Sequence, residues 1–341
     1  MATYAKVPTG YDALTGKVEA WDYFETNETT ILKSMKVLVA TEKPFAKRAV
    51  EGIREIIERA GFELVLLEKY TEKAQLLAAV ADADALIVRS DKVTDEVIAA
   101  AKHLRIVVRA GAGYDNVDLA AASARGIVVM NTPGQNSNAV AELALGMMIY
   151  MARNRYTPGT GSELRGKTLA IHAYGNVGRL VACKGKALGM NVIAYDPFVA
   201  DAQTFAADGV EKVDSVAELY RRADYLSLHI PATDETKNSI GYDLLMSMPQ
   251  GATLVNTARK EVIDEQGVLR ALTEREDLKY ITDIAPANQS EMAERLGTRF
   301  FATPKKMGAE TAEANINAGL AAANQIVSFF KEGVTRFQVN K

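Results

Sequence analysis

The sequence predicts an α/β fold made of two parallel-sheet domains. From Lys36 onward, short apolar runs rich in β-branched residues alternate with stretches of helical period. A loop rich in Gly, Thr and Ser, Tyr156–Gly166, interrupts the alternation, which then starts again. Strict β–α alternation calls for parallel strands under helical cover. A chain of 341 residues is long enough to bury two cores of ordinary size.

The elements follow in order. Residues 1–34 stand apart as an N-terminal extension, alternating polar and aromatic residues (Tyr4, Tyr11, Trp21, Tyr23, Phe24) without a lasting helical period. Lys36–Ala40 is the first core strand, and Val50–Ala60 is an amphipathic helix closed by Gly61. Strands are expected at Glu63–Leu67, Ala85–Val88, Ile106–Arg109 and Ile127–Met130, and a long helix at Ala139–Met151. The second series has strands at Thr168–Ile171, Val192–Tyr195, Tyr225–His229, Thr253–Asn256 and Tyr280–Asp283. The last helix, Thr311–Phe330, carries a predicted buried stripe of Ile316, Leu320, Ala323, Val327 and Phe330, with Gly333 as its stop.

Composition narrows the function classes. Hydrophobic content of 48% with 24% charged residues fits a globular enzyme and not a disordered chain. A net charge of -3 gives no global attraction to nucleic acid, so any anion site must be local. No apolar run reaches the length of a membrane span. The first residues lack the basic and apolar regions of a secretory signal. Cys183 is the single cysteine, which rules out an intrachain disulfide and points to a reducing, cytoplasmic compartment. Its helical surroundings predict a packed, inert thiol. No metal site is expected.

One motif carries cofactor chemistry. The strand Thr168–Ile171 runs into A-Y-G-N-V-G at 173–178, then a helix, then a strand ending at Asp196. This is close to the G-x-G-x-x-G fingerprint in its strand–turn–helix setting. Gly175 lets backbone approach a pyrophosphate, and Gly178 lets the helix pack against the strand. Asn176 and Val177 open that helix, whose N–H groups and dipole favour phosphate. The first glycine is replaced by Ala173, which fits the turn only at negative φ. Asp196, about 20 residues on, can accept ribose hydroxyls and repel a 2′-phosphate, which favours NAD over NADP. The alternative is a generic βαβ turn with an incidental aspartate.

Further segments, in order, resemble the D-2-hydroxyacid dehydrogenase family: I-V-R-S at 87–90, V-R-A-G-A-G-Y-D-N-V-D at 108–118 and N-T-P-G-Q-N-S-N-A-V-A-E-L at 131–143. After these come S-L-H-I-P-A-T at 227–233, L-V-N-T-A-R-K-E-V-I-D-E at 254–265 and G-A-E-T-A-E-A-N at 308–315. The resemblance covers roughly residues 36–341. It implies two Rossmann-like or flavodoxin-like domains with a cleft between them, the NAD domain (133–308) inserted in a substrate domain (35–132, completed by 309–341). It also implies NAD as cofactor, a small 2-hydroxy acid as substrate and a homodimer formed through the NAD domain.

By the same resemblance Arg259 is the catalytic arginine, whose planar fork can bind a carboxylate and the C2 oxygen together. Asp283 falls where the family binds the nicotinamide carboxamide. Thr257 and Ala258 line the nicotinamide, Ile230 and Pro231 the adenosine side, and Gly308 and Ala309 complete the cofactor contacts. For the substrate, the backbone of Ala110 and Gly111 with Asn136 holds the carboxylate region, Arg89 is the phosphate contact, and Ser90 and Arg109 are further substrate residues, Arg109 from its glycine-rich turn.

The family's acid/base histidine is absent. Its segment reads T-P-K-K-M-G-A at 303–309, which places Lys306 at that position when counted back from Gly308, or Lys305 when counted forward from Pro304. Lys306 is preferred. The supporting glutamate is replaced by Asn288, and His103, His172 and His229 all lie elsewhere. Lysine starts near about 10.4, too high for a base at neutral pH. A neutral Asn288, with Arg259, Lys260 and Lys305 nearby, would push it down. Family members that oxidise 3-phosphoglycerate include a subset resembling this lysine pattern. Cations at Arg89, Lys92, Arg109, Lys260 and Lys305 suit a phosphorylated acid. The alternatives are a glyoxylate or hydroxypyruvate reductase and an inactive NAD(H)-sensing protein. No appended regulatory domain is expected after the last helix.

Overall fold

The computed structural model describes the backbone of residues 3–11 and 18–26 and the whole of residues 35–341. In the N-terminal extension, strands β1 (Thr3–Tyr11) and β2 (Val18–Thr26) pair antiparallel in a two-stranded sheet of their own. The alternation of polar and aromatic residues seen there is the two-residue period of a strand.

A five-stranded parallel sheet is built from β3 (Lys36–Thr41), β4 (Glu63–Glu68), β5 (Ala85–Val88), β6 (Ile106–Arg109) and β7 (Val128–Asn131), in the order β4-β3-β5-β6-β7. A seven-stranded parallel sheet contains β8 (Thr168–His172), β9 (Asn191–Tyr195), β10 (Glu211–Lys212), β11 (Tyr225–Leu228), β12 (Thr253–Asn256), β13 (Lys279–Thr282) and β14 (Phe300–Ala302). Its order is β10-β9-β8-β11-β12-β13-β14. Each sheet has an apolar core on both faces, as parallel strands require. The two-domain α/β class is therefore observed. Predicted strand ends differ from the observed ones by at most one residue. Within the parallel sheets two strands were not anticipated, β10 and β14, because runs of two and three residues carry no readable period.

Strand order reverses beside β3 and beside β8. The crevices outside the carboxyl ends of β3/β5 and β8/β11 are thus the switch points at which such sheets take ligands.

The C-terminal helix, Ala312–Glu332, returns to the first sheet and packs on the helix Lys47–Arg59. Its buried residues are Ala314, Ala318, Gly319, Ala322, Ala323 and Ile326, so the predicted stripe was misplaced apart from Ala323. Ile316, Val327 and Phe330 only flank the core. The reason is close approach: a Cβ on Gly52 would lie 2.5 Å from Leu320 Cδ2, and one on Gly319 would lie 3.0 Å from Ile53 Cδ1. Small residues mark the true seam. Beyond the helix, Val339 donates to the Val129 carbonyl at 2.9 Å, and Asn340 accepts from Val129 N at 2.9 Å and donates to the Ile127 carbonyl at 2.8 Å. That tail covers the open edge of β7.

The expectation for Cys183 was wrong. It lies on the outer face of the helix Asn176–Ala187 and is exposed.

Candidate active site

The carboxyl ends of both sheets face one cleft of about 760 Å³. The five-stranded sheet presents Ser90 after β5 and Arg109 at the end of β6. The seven-stranded sheet presents Ile230 and Pro231 after β11, Thr257, Ala258 and Arg259 after β12, and Asp283 after β13. Lys306, Gly308 and Ala309 close one side, and Asn136 and Val177 stand at helix starts. Residues far apart in sequence converge here because parallel strands all deliver their ends to the same side.

The turn after β8 is held by Asp196. Its Oδ2 accepts from Tyr174 N at 2.7 Å and its Oδ1 from Phe198 N at 2.9 Å. Each oxygen retains a lone pair, so a ribose hydroxyl can still be accepted. Ala173 has φ +79°, which overturns the expectation of a negative φ. The Ala173 carbonyl must turn towards the helix, where a Cβ on Gly178 would lie 2.2 Å from it. The turn therefore adopts the left-handed form without its glycine, at a cost of about 1 kcal/mol. Gly175 faces open space, with nothing within 4 Å of a Cβ placed there. Open backbone ahead of a helix N-terminus fits a pyrophosphate. Thr257 Oγ1, on the cleft wall, is buried without a hydrogen-bond partner, a further fit to a polar ligand.

Asp283 is fully buried as a residue, and its carboxylate has protein donors. Oδ1 accepts from the Thr303 hydroxyl at 2.9 Å and from Met307 N at 2.8 Å, and Oδ2 accepts from Gly308 N at 2.7 Å. These bonds brace the loop carrying Lys306, and Oδ2, with a single donor, retains a lone pair on a residue of the cleft wall. Asn256 does the same for Arg259: its Oδ1 accepts from Ala258 N at 2.9 Å, and its Nδ2 donates to the Arg259 carbonyl at 3.1 Å. Neither brace was anticipated. Asn256 and Thr303 were visible only as polar residues at the ends of apolar strands.

Of the two lysines, Lys306 lines the cleft and Lys305 does not. Much of the Lys306 side chain is open to cleft solvent. Desolvation by the walls nonetheless lowers its pKa, and the positive charges of Arg259 and Arg109 act in the same direction; Asp283 and Glu261 oppose them. Asn288 donates to the Glu265 carbonyl at 3.4 Å and is outside the cleft lining. The only histidine on the cleft is His229. Burial first, and then His172, depress its pKa to about 3, and its Nε2 is 2.9 Å from Ser227 Oγ.

Several expected substrate residues stand elsewhere. Arg89 donates to the Lys43 and Pro44 carbonyls (3.1 and 3.3 Å) and to Asn315 Oδ1 (2.5 Å), and its guanidinium lies over the Phe45 ring. It does not line the cleft. Ala110 N donates to the Val88 carbonyl and Gly111 N to the Arg109 carbonyl, so these amides are engaged within the sheet end; Ala112 and Gly113 face the cleft in their place. Lys92 is also outside the lining, whereas Lys260 and, unforeseen, Asp115, Asn116, Glu261 and Glu310 belong to it.

Known proteins share this architecture. Residues 148–304 match the D-isomer specific 2-hydroxyacid dehydrogenase, NAD binding domain. The chain is 35% identical over 287 residues to hydroxypyruvate reductase of Thermotoga maritima, covering 79% of this chain and 91% of that protein. The chain belongs to the D-isomer-specific 2-hydroxyacid dehydrogenase family. This dehydrogenase takes NAD through its seven-stranded domain. It is 37% identical over 320 residues to D-3-phosphoglycerate dehydrogenase of Methanocaldococcus jannaschii, covering 90% of this chain and 59% of that protein, so it spans little more than half of that relative's length. A crystal structure of cofactor(NAD+)-bound 3-phosphoglycerate dehydrogenase in Entamoeba histolytica matches with TM-score 0.80 and 51% identity, over 90% of this chain and 99% of that one. No helix among the described residues is long and apolar enough to cross a membrane.

Proposed function

We propose that this dehydrogenase oxidises 3-phospho-D-glycerate to 3-phosphohydroxypyruvate, the step that opens serine biosynthesis, with Lys306 as acid/base and Arg259 as the orienting cation. The observation that carries the reading is the pairing of Lys306 with Arg259 in one cleft whose only histidine is His229. A histidine with pKa about 3 is too weak a base to take a hydroxyl proton near neutrality.

Arg259 presents its fork to the substrate carboxylate and C2 oxygen and polarises the C2–O bond. Neutral Lys306 Nζ takes the hydroxyl proton as the C2–H bond breaks and the carbonyl forms. Bound NAD supplies the hydride acceptor. In the reverse direction protonated Lys306 returns the proton to oxygen. Cationic neighbours favour neutral Lys306, and a wholly exposed lysine would lack that help. Residues 35–132 with 309–341 act as the substrate half, residues 133–308 as the NAD half, and the working unit is a cytoplasmic homodimer. Gly175, Asn176, Val177, Gly178 and Asp196 serve the pyrophosphate and ribose, with Ile230 and Pro231 on the adenosine side.

NADH consumption is to be followed with 3-phosphohydroxypyruvate, hydroxypyruvate and glyoxylate across a pH series. The expected result is turnover selective for the phosphorylated acid. Preference for an unphosphorylated acid would make the chain a general hydroxyacid reductase. No turnover with intact NADH binding would make it a nucleotide-sensing protein.

A further inference from the structure

The turn that opens the dinucleotide site holds a strained residue. Ala173 has φ +79°, a left-handed conformation that costs an alanine more than a glycine. The residue after it is anchored at both ends. Tyr174 N donates to Asp196 Oδ2 at 2.7 Å, and the Tyr174 hydroxyl donates to Asp208 Oδ2 at 2.8 Å. The tyrosine ring is buried and stacked on Phe205, with centroids 4.6 Å apart and planes at 22°. Burial first, and then the Asp208 bond, raise the tyrosine pKa, so the hydroxyl stays protonated and keeps donating.

Asp208 also reaches the fingerprint helix. Arg179 Nη2 lies 3.0 Å from the same Oδ2, and its guanidinium sits 5.7 Å from the Tyr174 ring centroid. Lys186, later in that helix, donates to the Asp208 carbonyl. One aspartate, at the end of the helix Ala202–Ala207, thus ties the chain on both sides of Gly175, whose open backbone suits the pyrophosphate. None of Tyr174, Arg179 and Asp208 lines the cleft, so they act on a bound cofactor only through the turn.

We propose that the Tyr174 hydroxyl and Asp208 are positioning residues for the cofactor and stand in for the missing first glycine of the fingerprint. Their bond holds Ala173 left-handed and so keeps the turn ready for the pyrophosphate. This goes beyond the reaction proposed above and holds whichever 2-hydroxy acid the enzyme takes. Without the bond, a share of the chains would relax to negative φ at Ala173 and carry Gly175 out of place. NADH would then have to draw them back, and its apparent Kd would rise by the inverse of the competent fraction.

The test measures NADH affinity by isothermal titration calorimetry, with no substrate present, so it is independent of the proposed reaction. It compares the full-length chain with Tyr174→Phe, Asp208→Ala, Ala173→Gly and the double variant of Ala173→Gly with Tyr174→Phe. Tyr174→Phe keeps the ring stack and is expected to raise Kd by about 3- to 10-fold, part of the worth of a hydrogen bond to a charged group. Asp208→Ala should raise it by as much. In the double variant glycine takes the left-handed turn unaided, so Kd should return to the parent value. The urea midpoint of each variant is read beside its Kd. A tyrosine that serves packing alone would lower the midpoint in Tyr174→Phe and leave Kd where it was, and that result overturns the proposal. A rise in Kd that Ala173→Gly fails to reverse overturns it as well, because the effect would then not run through the turn.

Discussion

The two walls of the cleft are built by the same topology and braced differently. On the seven-stranded wall a buried polar side chain holds each working loop: Asp196 the turn after β8, Asn256 the loop of Arg259, and Asp283 the loop of Lys306. On the five-stranded wall Asp91 holds the turn after β5, accepting from Glu42 N, Arg89 N and the Tyr70 hydroxyl. Arg109 beyond it rests only on a carbonyl and a glycine. Hydride transfer tolerates little error in geometry, so the wall that carries Arg259 and Lys306 is fixed in advance. On the five-stranded wall the Arg109 guanidinium has a single hydrogen-bonded acceptor, the Arg89 carbonyl.

The largest effect expected is on the braced wall. Lys306→Ala should lower turnover by about 10²–10⁴-fold, the usual contribution of a general acid or base, while NADH still binds. Lys305→Ala should leave turnover as it was. Steady-state kinetics of both variants decide this, and the reverse pattern would move the acid/base to Lys305. The pH profile adds a sign: since the folded protein lowers the Lys306 pKa, oxidation should gain rate as pH rises through a value below that of free lysine.

A smaller effect separates the walls by acid. His172 and His229, at the ends of β8 and β11, are held neutral, chiefly by burial, with pKa values lowered to about 4 and about 3. Above the unfolded value of about 6.5 neither state is protonated and the pair contributes nothing to pH dependence. Below it the unfolded chain takes up protons that the folded chain refuses. Stability should therefore fall from about pH 6.5 towards pH 3, by a few kcal/mol in all. Hydrogen exchange should show the seven-stranded sheet opening first. A denaturation midpoint that stays level between pH 7 and pH 4 would contradict this.

The smallest effect tests the strained turn. Ala173→Gly removes a left-handed alanine and should stabilise the protein by about 1 kcal/mol, read as a raised midpoint in urea. No gain would mean that the Asp196 bonds already offset the strain.

How far the sequence could be read varies from element to element. Strands such as Ala85–Val88 and Thr253–Asn256 were located to the residue, because a four-residue apolar run between turn residues has few other readings. The C-terminal helix was recognised but its buried face was rotated, because alanine and glycine at a tight helix contact give a weak hydrophobic period. Arg89 and Arg109 look alike in the chain, each one residue past a buried apolar run. Nothing local reveals that one guanidinium finds three protein acceptors and the other finds one.

The sequence by itself determined the α/β class, the two series of parallel strands, the dinucleotide fingerprint and the short list from which the site is drawn. Those features depend on local spacing, hydrophobic period and turn chemistry, and all three are written along the chain. Tertiary structure alone decided that Ala173 takes a left-handed turn, that Asp283 and Asp196 brace loops, that Lys306 enters the cleft and Lys305 does not, and that the Arg109 guanidinium meets a single acceptor. Each of these depends on which polar groups meet across tens or hundreds of residues, and burial makes every such meeting, or its absence, count in free energy.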